Sequence, residues 1–507
     1  MAQEAARGYE HATSAHGGFR LARAVGVGAV IASALTQEYG AGINLVAPNS
    51  AGAYPRIENL VPVAMLVCGI LLLPKVALFM RFSAHMPSAG STYAWIGRSL
   101  SLPVAFVVTF LWWVGLGGSL GVLGFSFSTF LANAFAVGGW PGGTWLTTTT
   151  GQLVLGLGAI WFFVAINALG VRSYGAWVQI LAVLIFLTAA VVIGYGFATT
   201  PAQFLGPTAH ATHLKLTPPA RPPGPTLSAF FSVAAVFVFA YGGLTAAPAL
   251  GGEVRNARKD LPRGLLLAWV TAVVLFTLVA FAVFHAAPWW AVRDLVHHGH
   301  SSLATVPGLI GAVAPRFLAL TIDVVTAIIV GKTINPALMA MSRTAFGWGE
   351  DHLLPSLFAR TSAAKVPVAA LVLSALLGSG FLIETVIEGF TLGVVIRSLS
   401  ILVVVAVVAA GLLNVKFIQR RRFEGKAWAT QIGKGWGIVI AALLAIIVSA
   451  IFVSSTLTSA GKALYLQPWL ETLIGIAVGI LLWYWAVWRS HRSGIDLGAV
   501  QATPPLE

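Results

Sequence analysis

Runs of about 20 apolar residues, separated by short polar turns, recur along the chain and set its architecture. They fall near 22–46, 59–82, 103–136, 151–170, 175–198, 227–251, 264–287, 317–342, 366–384, 392–415, 436–457 and 467–488. The pattern predicts an all-α polytopic membrane protein with twelve transmembrane helices. Two of the runs are interrupted, the first by Gly40-Ala41-Gly42-Ile43-Asn44 and the sixth by Tyr241-Gly242-Gly243. Unwound backbone exposes N–H and C=O groups that cost several kcal/mol each in hydrocarbon, so it survives only beside a cavity, a ligand or other protein. Breaks at matching places in two halves of a chain point to an inverted repeat with a solute bound at the midplane. The alternative is that both glycine pairs are helix-packing or kink positions.

Composition agrees with the pattern. Residues are 58% hydrophobic and 9% charged, and mean hydropathy is +0.87, which excludes a soluble globular domain. The single cysteine, Cys68, has no partner within the chain and reads as a packed small side chain. The first twenty residues are polar and lack the apolar core of a cleavable signal, so the first run itself directs insertion. A cytoplasmic N-terminus puts Arg20, Arg23, Arg81, Arg98, Arg172 and most other basic residues on that side. Only Arg56, Lys215, Arg221, Arg293, Arg316 and Lys462 remain opposite. Both termini then lie in the cytoplasm of a cell-membrane protein. The net charge of +14 is dispersed over short loops that face anionic lipid headgroups, so the expected partner is the bilayer and not nucleic acid.

Several loops carry distinct signals. In MPSAGSTYAWIGRSL, residues 86–100, Pro87 ends the preceding helix, Gly90 permits a tight turn, and Ser91 and Thr92 can cap the next helix. In GGEVRNARKDLPRG, residues 251–264, Pro262 takes the first turn of the seventh run. That connector is either a solvated loop or a gate latched by Glu253, Asp260 and the arginines. The eighth run continues into MSRTAFGWGEDHLLP, residues 341–355, leaving the membrane at Arg343 and stopping before Pro355. Segment 200–226 reads as a proline-rich extracellular linker. His297, His298 and His300 lie on an outer glycine-containing loop and read as solvated, so neither a metal site nor a cofactor is expected.

The paired breaks resemble the amino acid–polyamine–organocation permease superfamily, as do PSAGSTYAW, the run Asn167-Ala168-Leu169-Gly170-Val171-Arg172, FAYGGLTAAPALGGEVRNARKDLPRG and MSRTAFGWGEDHLLP. The likeness covers residues from about 20 to 420. It implies a five-plus-five inverted repeat with helices 1 and 6 discontinuous. Residues 1–20 would be a cytoplasmic tail, and 21–418 a transporter core with repeats at about 21–199 and 226–418. Residues 419–488 would form peripheral helices 11 and 12, and 489–507 a second cytoplasmic tail. A substrate carboxylate would sit on backbone N–H groups at the first break, and its ammonium would meet carbonyls at the sixth.

The residues supply a physical basis for this arrangement. Gly40 and Gly42 lack a Cβ, so a ligand can approach the amides of Ala41, Ile43 and Asn44, where a half-helix begins with free N–H groups and a positive dipole end. The half-helix before the sixth break ends in carbonyls around Phe239 and Ala240, which suit a cation. An α-amino acid zwitterion satisfies both. Resemblance gives Phe239 the role of an aromatic lid. Tyr241, beside Gly242 and Gly243, either donates to the ligand or packs at a helix interface. Trp112 and Trp113 face either the site or lipid. Gly243-Leu244-Thr245 stands where many family members carry a glutamate, which argues against arginine, agmatine and polyamines. Ala257 replaces a usual proline and alters only a loop.

Charges inside apolar runs are costly and demand a reason. Lys332 lies deep in the eighth run. In related sodium-coupled folds this region and the residues before the first break hold a cation, so its ammonium is expected to stand in for sodium near the carbonyls of Thr36 and Tyr39 and the carboxylate of Glu38. Reaching an aqueous vestibule is the alternative for both Lys332 and Glu38. Asp323 lies nearer the outer end of the eighth run. Lys75, two turns before Arg81, is expected to snorkel to the cytoplasmic interface, and Arg397 to pair with Glu384 or Glu388. The expected function is secondary transport of an amino acid by alternating access, coupled to protons or to exchange. Sodium-coupled transport of an amino acid or amine is the alternative. An ion channel lacks a filter or charge ring, and no HExxH or GxSxG motif supports an enzyme.

Overall fold

The computed structural model describes residues 26–87, 90–169, 174–245, 247–248, 254–457, 463–494 and 497. Residues 1–20 with Arg20, then Arg23, Arg172, Glu253, Lys462 and the end of the chain beyond 497 lie outside the described residues. Among the described residues the protein is all-helical and without strands, and ten helices are long and apolar enough to cross a membrane.

The chain begins with α1 (Val27–Glu38), a π-helical turn (Gly42–Val46) and α2 (Ala47–Ala53). Helices α3 (Val61–Leu71) and α4 (Leu73–His85) follow, nearly continuous through Leu72, with Pro62 and Pro74 in their first turns where proline costs no hydrogen bond. Then come α5 (Ser91–Ser99), α6 (Leu102–Gly138), α7 (Thr149–Leu169), α8 (Tyr174–Ala198), α9 (Pro201–Thr212) and α10 (Leu227–Val236). The remainder comprises α11 (Ala257–Ala286), α12 (Trp289–His297), α13 (Val306–Gly311), α14 (Arg316–Glu350), α15 (Val368–Glu388), α16 (Thr391–Leu413), α17 (Trp436–Thr456) and α18 (Pro468–Arg492).

The 37-residue α6 is the spine of the bundle, packed against α14, α15, α16 and α18. Its glycines allow this. A Cβ on Gly115 would fall 2.2 Å from Ser400 Oγ, one on Gly118 3.0 Å from the Gly393 carbonyl, and one on Gly121 2.6 Å from the Phe381 backbone. Small residues at three-residue spacing thus bring backbones together where lipid gives no hydrophobic drive between helices. Helices α7, α8, α17 and α18 are the least buried and show apolar side chains such as Phe162, Leu187, Ile447 and Leu481 on the outside.

Three local expectations are corrected. Segment 200–226 contains a helix, α9, started by a capping box between Thr200 and Gln203 with Pro201 in the first turn. Helix α11 starts at Ala257, so Pro262 sits inside it and not at its first turn. Ser91 does not cap α5: Gly90 is the N-cap, Ser91 takes φ 45°, and its buried hydroxyl has no partner among the described residues. The loop has a different anchor. Tyr93 on α5 donates to the Asp351 carboxylate just beyond α14, and Trp348 Nε1 donates to Thr109 Oγ1 on α6. Burial pushes the Asp351 carboxyl above its usual range, opposed by the Tyr93 hydroxyl and Arg98. The 86–100 and 341–355 motifs are therefore in contact.

On the side of α12, the end of the first helix is sealed. Asn49 Nδ2 donates to the Ala304 carbonyl at 2.7 Å, His297 Nε2 bonds the Gly52 carbonyl at 3.1 Å, and a Cβ on Gly52 would strike Val296 at 2.4 Å. His298 bonds its own helix at the Asp294 carbonyl. Cys68 is buried and free.

Candidate functional site at two crossed helix breaks

Both glycine-centred segments interrupt their helices, by different means. Helix α1 ends at a sharp bend, with Tyr39 at φ −75° and ψ 85°, and helical backbone resumes at Ala41. The first interruption is thus a bend at Tyr39–Gly40 followed by the wide Gly42–Val46 turn, so Gly40–Asn44 is not the fully unwound stretch that its glycines predict. The Gly40 carbonyl receives both the Asn44 amide at 3.3 Å and the Asn44 side chain at 3.0 Å, so Asn44 stabilises the bend instead of facing the cavity. First-turn amides of the restarting helix, from Ala41 onward, keep the orientation of a helix N-terminus.

The sixth-run break is longer. From Val238 the hydrogen bonds shorten to three-residue turns, Val238 to Ala235 and Phe239 to Val236, and the chain leaves helical geometry until a single turn at Gly243–Thr245. The Phe239 carbonyl accepts from Gly242 N at 3.1 Å, and the Tyr241 carbonyl accepts from Lys75 Nζ at 2.9 Å. The Ala240 carbonyl has no donor among the described residues.

The two breaks cross in contact. A Cβ on Gly42 would lie 2.6 Å from Ala240 Cα, and one on Gly243 would lie 2.6 Å from Glu38 Cγ. Beside this crossing is a cavity of about 510 Å³, counting its mouth, whose walls include Gly40, Ala41, Gly42, Phe239, Gly242 and Gly243. Ile43, Asn44, Ala240 and Tyr241 lie next to it without lining it. Tyr241 packs at an interface: its hydroxyl donates to the Met65 carbonyl at 3.1 Å and its ring sits 5.5 Å from that of Phe276.

Several wall residues were not read as site residues from the sequence, and Arg397 was expected only in an ion pair. Gln37 comes from α1, Leu116, Ser119 and Leu123 from α6, Thr333 and Ala337 from α14, and Arg397 from α16. Arg397 forms no ion pair with Glu384 or Glu388; it is 4% exposed, faces the cavity and lies over the Trp112 ring at 5.3 Å. Trp112 and Trp113 are both buried, so neither faces lipid.

The remaining charges are arranged around the breaks. Lys332 Nζ donates to the Thr36 carbonyl at 3.0 Å, with Thr333 Oγ1 on the same oxygen at 3.3 Å. It reaches neither Tyr39 nor Glu38. Glu38 instead accepts from Leu244 N at 3.2 Å, and its other oxygen is buried without a hydrogen bond among the described residues. Lys75 does not snorkel: it is 2% exposed and holds Tyr241. A cation from α4 and an anion from α1 therefore grip the two ends of the Tyr241–Leu244 turn. Asp323 is buried but is not part of the cavity wall. Among the described residues no cluster of three or more His, Cys, Asp or Glu side chains is placed to hold a metal.

Ten long apolar helices around a cavity at two interrupted helices define a multi-pass membrane protein. Residues 24–487 match the amino acid permease family, and the chain belongs to that family, whose members are transporters and not enzymes. It is 27% identical to the branched-chain amino acid permease BcaP of Lactococcus lactis over 417 residues, 75% of this chain and 79% of that protein. It is 23% identical to the serine/threonine exchanger SteT of Bacillus subtilis over 310 residues, 61% of this chain and 64% of SteT. A D-serine/D-alanine/glycine transporter of Escherichia coli is 23% identical over 292 residues, 55% of this chain and 60% of that protein.

Proposed function

We propose that the protein is a secondary active amino acid transporter working by alternating access, driven by protons or by exchange, in a cell membrane with both termini cytoplasmic. The observation that carries this reading is the contact of Gly42 with Ala240, which gathers a helix start and a helix end at one cavity. A substrate carboxylate docks on the amides from Ala41 onward. Its ammonium meets the carbonyl end of the sixth-run half-helix at Phe239, which lines the cavity, next to the Ala240 carbonyl that has no donor among the described residues.

Matched lengths support a twelve-span, five-plus-five inverted repeat over about 21–199 and 226–418. The third, fourth and fifth long elements of the two halves run 37, 21 and 25 residues in one (α6, α7, α8) and 35, 21 and 23 in the other (α14, α15, α16). Helices α17 and α18 follow as an added pair, matching 419–488 except that α18 runs on to Arg492.

The ammonium of Lys332 on the Thr36 carbonyl favours protons over sodium, because it already fills the place of a cation at the end of α1. Uptake by the purified chain in liposomes, over labelled amino acids and amines with and without proton and sodium gradients, tests the proposal. Lys332→Ala is expected to abolish gradient-driven accumulation and flatten its pH dependence; full accumulation with an unaltered pH profile rejects the coupling role. Phe239→Ala is expected to weaken substrate capture by about tenfold through loss of the ring at the cavity wall. Unchanged affinity and rate remove Phe239 from the site.

A further inference from the structure

Arg397 is the only charged residue of α16, and none of the roles above uses it. Its Nη1 is buried without a hydrogen bond, and the side chain makes no hydrogen bond or ion pair among the described residues. Trp112 backs the guanidinium on one side. Toward the sixth-run break, a Cβ on Gly242 would press on the Phe239 carbonyl at 3.0 Å and Ile401 Cδ1 at 3.1 Å and would reach Arg397 Nε at 3.8 Å, so a bare glycine backbone is what the guanidinium faces there.

The other charges near the breaks each have a hydrogen-bond partner, although the second Glu38 oxygen has none among the described residues. Lys75 donates to Tyr241, Lys332 donates to Thr36, and Glu38 accepts from Leu244. Of these three cations, Arg397 alone lines the cavity, with Glu38 as the one carboxylate in its wall. A buried guanidinium without an anion is costly, and an indole face offsets only part of that cost. The α-carboxylate of an amino acid is met by the helix start at Ala41, so a neutral substrate leaves Arg397 uncompensated. A second carboxylate completes it, and the planar fork of arginine fits a carboxylate with two parallel bonds.

We propose that Arg397 receives the side-chain carboxylate of an acidic amino acid, making aspartate- and glutamate-like substrates the preferred class. This rests on the amino acid transport reading above.

The test uses the full chain in liposomes, with L-glutamate, L-aspartate, L-glutamine, L-asparagine, L-leucine and L-serine as probes. The wild-type protein is expected to favour each acid over its amide by about tenfold or more. Arg397→Gln is expected to bring acid and amide within about twofold while neutral uptake persists, and Arg397→Lys to keep part of the preference by charge without the fork. Equal handling of acid and amide by the wild type, or a preference for the amide, overturns the proposal without any variant, so misfolding of Arg397→Gln cannot shelter it. Acid preference retained by a folded Arg397→Gln also overturns it. Carriage of neutral amino acids that depends on Phe239 would leave the transport reading standing and reject only the acidic class. Failure to bind or carry any of the six would reject both.

Discussion

Gly42→Ala is expected to lower the initial rate of amino acid uptake by about tenfold or more, whereas Gly40→Ala is expected to stay within about twofold of the wild type. Both glycines line the cavity, and neither needs a left-handed backbone, so flexibility alone predicts similar effects. Their surroundings differ. A Cβ at position 42 falls 2.6 Å from both Cα and Cβ of Ala240 and 3.2 Å from its N, all atoms that move only with the backbone. At position 40 the nearest atom is Thr333 Oγ1 at 3.8 Å, an ordinary contact. The added methyl at 42 therefore pushes the two breaks apart, at a cost of about 1–3 kcal/mol typical of overpacking, and separates the helix start from the helix end. Initial-rate uptake checks the first effect and thermal melting of the purified variants the second. Wild-type transport by Gly42→Ala would mean that the crossing of the breaks is not needed for substrate capture.

Most of the helical framework was legible because hydrocarbon thickness sets helix length, and every long helix overlaps an apolar run read from the sequence. The breaks were legible too, since glycine inside an apolar run marks backbone that something else must satisfy. What hydropathy could not supply is rotation about the helix axis. Helix α4 places Lys75 two turns from Arg81, which fixes its depth but not its direction. Only the neighbouring Tyr241 carbonyl reveals that it points inward. Arg397 had a usable signal, as a lone charge in 23 apolar or small polar residues, which by default marks a functional position. Assigning it to Glu384 or Glu388 rested on nearness in sequence, and α15 and α16 do not bring those groups together as an ion pair. Helix α9 was also readable, since Thr200, Pro201 and Gln203 form a start signal within a segment whose other prolines suggested only a linker.

Lys75→Met is expected to destabilise the folded protein by about 1–3 kcal/mol and to reduce uptake by about tenfold or more, because it leaves a buried carbonyl and a buried carboxylate without their cation. The ammonium holds the Tyr241 carbonyl at 2.9 Å, and Glu38 holds Leu244 N at 3.2 Å, three residues further along the same turn. The two groups also attract each other through the interior. Their joint effect separates two roles. If Lys75 mainly balances the Glu38 charge, then Glu38→Gln in the Lys75→Met background should recover stability, giving a coupling of about 1 kcal/mol or more in a double-mutant cycle. If Lys75 acts only as a donor to Tyr241, the two losses should add. Geometry favours coupling, because both side chains are almost completely enclosed, Lys75 at 2% and Glu38 at 2% exposure, and neither has water to screen its charge. Since the turn they grip carries Gly242 and Gly243 at the cavity wall, the double variant should regain stability and yet transport slowly, its sixth-run break no longer held at both ends. Purely additive destabilisation, or a Lys75→Met protein with wild-type melting and uptake, would show that the turn keeps its shape without this pair.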